Sequence, residues 1–384
     1  FVIAKFLEKF VEMQCLFPPH FLALVAFTLI LGNCRPAIAV FNLTVVHDTD
    51  THGGVFEYDG DGKECVIDLN STTPRVIDSG NQEATGCAGG GSFRHTFFQN
   101  LNKTYTNPIV FSKTKLFFGS SLYTALSSTM NATTAAAHVA KHYTTPCHYD
   151  ALSIDNSEFF SGPTAFGAFV NSLPQSIAVV DTYIDINVAN NSGFDTVETA
   201  KQVQSKVTKY KIINRSGVSI AIMASADFEI NIKSNAGTTL LNEYEEPNKN
   251  QEGCSPCSNS FLLTLSIKIR KEWAQIKKEY PACNILIFIS SLSRKDNEVL
   301  AKSVEEIDVI IDDKLDKPIQ YIENPITSKN IALLTSSWRQ KVDGKDDRQE
   351  YGRHAGVFSL IFDDDGYLMR NITVETVRLD NNTS

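Results

Sequence analysis

Short apolar runs of strand length alternate along this chain with longer stretches whose apolar positions recur every third or fourth residue. The runs Leu43–His47, Ile109–Ser112, Ala151–Ile154, Val218–Ala224, Ile285–Ser290, Val309–Ile311, Ile331–Thr335 and Val357–Phe362 predict strands. The stretches Phe93–Leu101, Thr134–His142, Ala165–Leu173, Phe261–Tyr280 and Asn297–Val304 predict helices, the longest turning from apolar to charged along its length. Strand followed by helix, several times over, predicts an α/β fold with sheets buried between helices. Asn242–Gly253 is a polar loop rather than a linker, no repeat recurs at a fixed period, and one domain is expected over residues 40–375, with a polar tail at 376–384.

The amino end reads as a targeting signal. Met13 precedes the apolar run Phe21–Leu31, and the small-residue site Ala37-Ile38-Ala39 follows. That run is too short to span a bilayer and suits a signal peptide. Residues 1–12 are read as translated leader, with cleavage after Ala39 and a secreted, extracellular product. Removing Cys15 and Cys34 leaves Cys65, Cys87, Cys147, Cys254, Cys257 and Cys283, an even set that points to disulfides with the pairing open. Cys254-Ser-Pro-Cys257 lacks the second ligand pair that a zinc site needs. Asn42, Asn70, Asn102, Asn131, Asn190, Asn214, Asn371, Asn381 and Asn382 each open an Asn-X-Ser/Thr sequon, which behind a signal peptide predicts a glycosylated surface. No apolar tail follows Asn382, so no membrane anchor is expected.

Composition narrows the function. The chain has 384 residues, 42% hydrophobic and 21% charged, with a net charge of -9, so it is globular and lacks the basic field that nucleic acid requires. The first strand ends in His47-Asp-Thr-Asp50-Thr-His52-Gly-Gly, where residues two apart share a face, so Asp48, Asp50 and His52 could open a divalent metal site. Other features read plainly. His138 and His142 lack a third ligand nearby in sequence, Gly89-Gly90-Gly91 is a tight turn without a following Gly-Lys-Ser/Thr, and Asp363-Asp-Asp-Gly366 is a hairpin turn between strands.

The block Leu43–Glu57, with its Leu-Thr-Val-Val-His-Asp-Thr-Asp-Thr-His, resembles the L-T-I-L-H-T-N-D-x-H opening of the secreted 5'-nucleotidase/apyrase family. In order along the chain, Cys87-Ala-Gly-Gly90 with Arg94 resembles C-x-G-G-x-x-R, and Tyr149–Phe159 resembles Y-D-A-M-x-x-G-N-H-E-F. Asn284–Ser303 resembles the segment carrying G-H-S-G, Ile307–Asp316 resembles V-D-V-V-V-G-G-H-S-H, and Tyr351–Gly356 resembles Y-G-K-Y-L-G. The resemblance implies a four-layer calcineurin-like metallophosphoesterase sandwich, two mixed β-sheets flanked by helices, in a single domain. It implies a Cys65–Cys87 disulfide. The family's C-terminal nucleoside-binding domain is expected to be absent, which points to a monomer.

Carried over residue by residue, the family's metal ligands match at Asp50, His52 and Asn156 and are lost elsewhere. Lys115 stands at the bridging aspartate of D-A-G-D, Ser157 at the N-H-E histidine, Ser291 near the G-H-S-G histidine, and Lys314 and Asp316 at the last two histidines. Three survivors divided between two cation sites are too few, and Lys115 and Lys314 would place ammonium groups where cations sat, making them candidate anion-binding residues. The resemblance to a degenerate, truncated, arthropod salivary-type member therefore implies a catalytically inactive, secreted glycoprotein without a cofactor. Its expected partner is a nucleotide or other small anion, or a host extracellular protein, in an antihaemostatic role. The alternative is a weak metal-dependent nucleotide phosphohydrolase with one loosely held divalent metal, assembled from Asp50, His52, Asn156 and the acidic residues Asp312, Asp313 or Asp316.

Overall fold

In the first strand, β1 (Phe41–Thr49), alternation places Leu43, Val45 and His47 on one face and Thr44 and Val46 on the other, all buried. The computed structural model describes residues 40–49, 57–58, 64–68, 75–77, 90–113, 116–118, 121–144, 149–154, 156–184, 196–226, 259–312, 318–335, 341–342, 345–346, 354–363, 365–369 and 372–378. After β1 come β2 (Glu57–Tyr58), β3 (Glu64–Asp68) and β4 (Arg75–Ile77), which pair into a small antiparallel sheet. Next are α1 (Gly90–Thr104), β5 (Pro108–Lys113), α2 (Ser121–Thr129), α3 (Ala132–Thr144) and β6 (Ala151–Ser153). A single 3-10 turn at Asn156–Phe159 leads into α4 (Pro163–Ser172), β7 (Ala178–Val180), α5 (Val197–Lys206) and β8 (Val207–Thr208). The hairpin of β9 (Lys211–Arg215) and β10 (Val218–Ser225) then precedes α6 (Asn259–Glu279), β11 (Ile285–Ser290), α7 (Arg294–Ser303) and β12 (Val309–Ile311). The chain continues with β13 (Ile319–Glu323), β14 (Asn330–Leu334), the short pair β15 (Lys341–Val342) and β16 (Lys345–Asp346), β17 (His354–Phe362) and β18 (Thr373–Arg378).

Two mixed sheets result, one of seven strands in the order β18-β17-β1-β5-β6-β7-β8 and one of six in the order β13-β14-β12-β11-β10-β9. The strand-helix alternation makes β1, β5, β6, β7 and β8 parallel in the first and β10, β11, β12 and β14 parallel in the second. Leu43, Val45, Phe111 and Val180 of one sheet share a buried cluster with Ile222, Ile287, Ile311 and Leu334 of the other, so the sheets face each other. The alternate residues Val46, Val110, Leu152, Met223, Phe288 and Ile310 pack with the helices, through Phe98, Val139, Phe169, Leu265, Ile269 and Leu300. Each such side chain, fully buried, contributes about 1.5–3 kcal/mol. Helix, sheet, sheet, helix is the four-layer order expected, and the described residues from Phe41 onward belong to one compact unit.

Every strand and helix that periodicity predicted lies within an observed element or overruns it by no more than a residue or two. What periodicity missed is short or polar: α5 buries only Ala200 and Val203, three apart, and β7 and β8 have three and two residues. The β9–β10 hairpin turns on Ser216 and Gly217, both at positive φ (50° and 84°), the signature of a type I′ turn. Asp363–Gly366 is a turn as expected, with Asp363 Oδ1 accepting from the backbone N–H groups of Asp365 (3.1 Å) and Tyr367 (2.8 Å). Gly366 has φ +84° and lies so close to Asn284 that an added Cβ would come within 2.7 Å of its Cβ. Among the described residues no helix is long and apolar enough to cross a membrane.

Candidate functional site

The carboxyl ends of the parallel strands of both sheets meet at one edge of the sandwich. The Thr182 amide, after β7, donates to Ala224 O in β10 (2.7 Å), and the Ala226 amide donates to Asp181 Oδ2 (2.7 Å). Asp181 is fully buried and its other oxygen accepts from the amides of Tyr183 (2.8 Å) and Ile184 (2.7 Å). Burial outweighs these donors and lifts its carboxyl to about 6. The folded chain therefore takes up a proton as pH falls through about 6, whereas the unfolded chain does so only near the ordinary aspartate value. This group's contribution to stability is larger below pH 4 than above pH 6. A carboxyl-carbon NMR titration should find Asp181 with a midpoint near 6, and a midpoint near 4 would refute this.

Among the described residues the strand ends carry hydroxyls, carboxylates and the Lys113 ammonium. Ser112 and Lys113 end β5, Ser153 ends β6, Ser225 ends β10, Ser290 ends β11 and Ser291 follows it, all buried. The hydroxyls of Ser112 and Ser153 find no hydrogen-bond partner among the described residues. Lys113 follows Ile109 and Phe111 on the inter-sheet face, opposite Thr49 of β1 and Ser153 of β6 in register. His47 on the same face of β1 stacks on Phe358, with ring centroids 5.5 Å apart. Burial, reinforced by the Lys113 charge, pushes its imidazole down to about 3, so it is neutral at physiological pH.

On the six-stranded side, buried Asn297 in α7 joins two strand ends. Its Oδ1 accepts from Ser290 Oγ (2.5 Å) and its Nδ2 donates to Asp312 Oδ2 (2.7 Å), fixing the carboxylate that follows β12. Across the sheet junction, Ser157 and Glu158 of the 3-10 turn are buried, and Glu158 Oε1 accepts the Leu116 amide (2.7 Å).

Of the residues singled out from sequence, Ser157 and Ser291 are at this edge, and Asn156 opens the 3-10 turn beside it. Asp50, His52, Lys115, Lys314 and Asp316 lie outside the described residues, as do Cys87, Cys147, Cys254 and Cys257. Cys65 contributes backbone to β3. Cys283 corrects the expectation of full pairing: it is a buried free thiol whose Sγ points at Ile285 O (3.9 Å), and burial pushes it up to about 11. Sequons at Asn42, Asn102, Asn131 and Asn214 have exposed asparagines, while those at Asn70, Asn190, Asn371 and Asn381 lie outside the described residues. Sequence reasoning overlooked Lys113, Ser153 and Asn297. The two-residue period of the strand would have placed Lys113 inside with Ile109 and Phe111.

Two divalent cations need several carboxylate or imidazole donors converging on them. Among the described residues no group of three such side chains converges, and these strand ends present hydroxyls, the Lys113 ammonium and the separate carboxylates of Asp181 and Asp312. The described residues by themselves do not complete a two-cation centre.

No family profile and no curated protein matches the chain in sequence. Solved structures do match in shape. The 5'-nucleotidase precursor of Thermus thermophilus superimposes with a TM-score of 0.61 at 16% identity, over 90% of this chain and 56% of that one. The NAD nucleotidase of Haemophilus influenzae gives 0.58 at 16% identity, over 88% of this chain and 50% of that one. A calcineurin-like phosphoesterase of Bacillus subtilis gives 0.55 at 13% identity, over 90% and 93% of the two chains. This chain thus spans about half the length of the two nucleotidases. At such identities the likeness concerns architecture, and on that ground the chain has the two-sheet, helix-flanked fold of the calcineurin-like phosphoesterases.

Proposed function

We propose that this is a secreted glycoprotein that keeps the phosphoesterase fold without its hydrolytic chemistry, and that its strand-end cleft holds a small anion. The observation that carries this reading is the buried, unpartnered hydroxyl of Ser153 in register with the buried Lys113 on the inter-sheet face. A buried hydroxyl left without a partner costs about 1–3 kcal/mol, which a ligand oxygen accepting its hydrogen bond would recover. Lys113 supplies a positive charge that favours an anion and repels a dication. Lys115 and Lys314 belong to the same reading as further anion contacts, and a nucleotide is the leading ligand. Exposed Asn42, Asn102, Asn131 and Asn214 suit a glycosylated, extracellular surface, with a salivary, antihaemostatic setting as the proposed context.

One observation favours a second reading. Asn297 fixes the Asp312 carboxylate at the end of β12, where it could join Asp50, His52 and Asn156 around one weakly held metal and support residual hydrolysis. Assays of ATP, ADP and AMP with Mg²⁺, Ca²⁺ or Zn²⁺ separate the two. The expected result is phosphate release no faster than without protein. Metal-dependent turnover abolished by Asp50→Ala would establish the enzyme instead.

A further inference from the structure

At the lateral edge of the sandwich β8 ends one sheet and β9 ends the other. Between them lies a cleft of about 340 Å³, within the range of small-molecule sites. Ile177, Ala178 and Ile212 supply its apolar surface beside Tyr210 and Tyr280, within a lining that is as polar as it is apolar. Ala178 begins β7 and Tyr280 precedes β11, whereas Thr208 ends β8 and Lys211 pairs with Ile222 of β10, so the cleft runs along the lateral edge of the sandwich. The strand-end cleft described above is at the carboxyl ends of the parallel strands.

The polar groups of this cleft are unequal in a way that points to a ligand. Lys206 spends all three ammonium hydrogens on the carbonyls of Val170 (3.2 Å), Asn171 (2.9 Å) and Leu173 (3.0 Å) at the end of α4. It is a fixed positive charge with no donor to spare. Lys211 has no hydrogen bond or ion pair among the described residues, although its side chain is partly buried. The Thr208 Oγ1 is buried and also lacks a hydrogen-bond partner. No carboxylate lines the cleft. Glu279, beside Tyr280, accepts from Tyr210 Oη and from Gln275.

We propose that this cleft binds a small organic monoanion with a flat apolar body. Lys211 Nζ and the Thr208 hydroxyl would take its carboxylate or sulfonate in the field of Lys206, and the isoleucines and tyrosine rings would take the body. The one available ammonium, with the Thr208 hydroxyl beside it, matches a single anionic group, and the volume suits a ligand of one or two rings rather than a nucleoside polyphosphate. This site does not depend on the strand-end cleft.

The test uses benzoate as probe, titrated into the full chain and followed by ligand-observed NMR, with neutral benzyl alcohol in parallel. Saturable binding with a Kd of about a millimolar is expected from the size of the probe. Benzyl alcohol should bind at least about tenfold more weakly, and Lys211→Met and Thr208→Val should each weaken benzoate about five- to tenfold. Both variants should melt with the parent, since neither side chain has a partner to lose, and Ser157→Ala at the other cleft should leave benzoate binding unchanged. Absence of saturable binding, equal binding of the alcohol, or benzoate affinity retained in both variants would overturn the proposal.

Discussion

Replacing Asp308 with alanine should lower the free energy of unfolding by about 3–5 kcal/mol. The carboxylate is buried beside β12, its Oδ1 2.7 Å from Lys329 Nζ, and its Oδ2 accepts the Leu286 amide at 2.8 Å. It thus ties β11, β12 and the start of β14 together. Alanine would leave the Leu286 amide unmatched and Lys329 with only the Glu305 carbonyl (3.1 Å) as partner in a largely buried position. The expense is the stranded charge rather than the pair itself, so Asp308→Leu combined with Lys329→Met should recover most of the loss. Urea denaturation of the single and double variants measures both, and a single-variant loss below about 1 kcal/mol would contradict the ion pair's role.

Asn297→Leu is the second large effect, a loss of about 2–4 kcal/mol. Asn297 is buried and is bonded at both ends of its amide, to Ser290 Oγ and to Asp312 Oδ2. Leucine matches the volume closely but leaves a buried hydroxyl and a buried carboxylate each short of a partner. Denaturation reads the loss, and Asn297→Asp should be worse than leucine because it sets a second carboxylate against Asp312. A leucine variant as stable as the parent would mean that this relay does not hold the strand ends.

The sandwich was legible because its strands are buried on both faces. A run such as Ile285–Ser290 has no polar alternation, and the helices that cover it, α6 and α7, keep apolar residues three and four apart. Edge elements were not legible: β8 has two residues and α5 only two buried side chains, so neither carries a periodic signal. At the site, Ser157 and Ser291 were found because they stand at ligand positions of the resembled motifs. The strand period would have turned Lys113 inward, but that it lies beside Ser153 comes from the register of β5 on β6, a long-range pairing that local pattern does not encode. Cys283 shows the same limit, since an even cysteine count cannot tell a buried thiol from half of a disulfide.

The proposed exchange of cation-binding groups for hydroxyls and an ammonium is tested most directly on the purified full chain by weighing its metal content and its anion affinity together. Elemental analysis after dialysis, followed by calorimetric titration of AMP and ADP with and without chelator, is the measurement. The expected outcome is far less than one equivalent of divalent metal per chain and nucleotide binding that the chelator leaves unchanged. Two equivalents of tightly held metal, or binding that vanishes with the chelator, would contradict it.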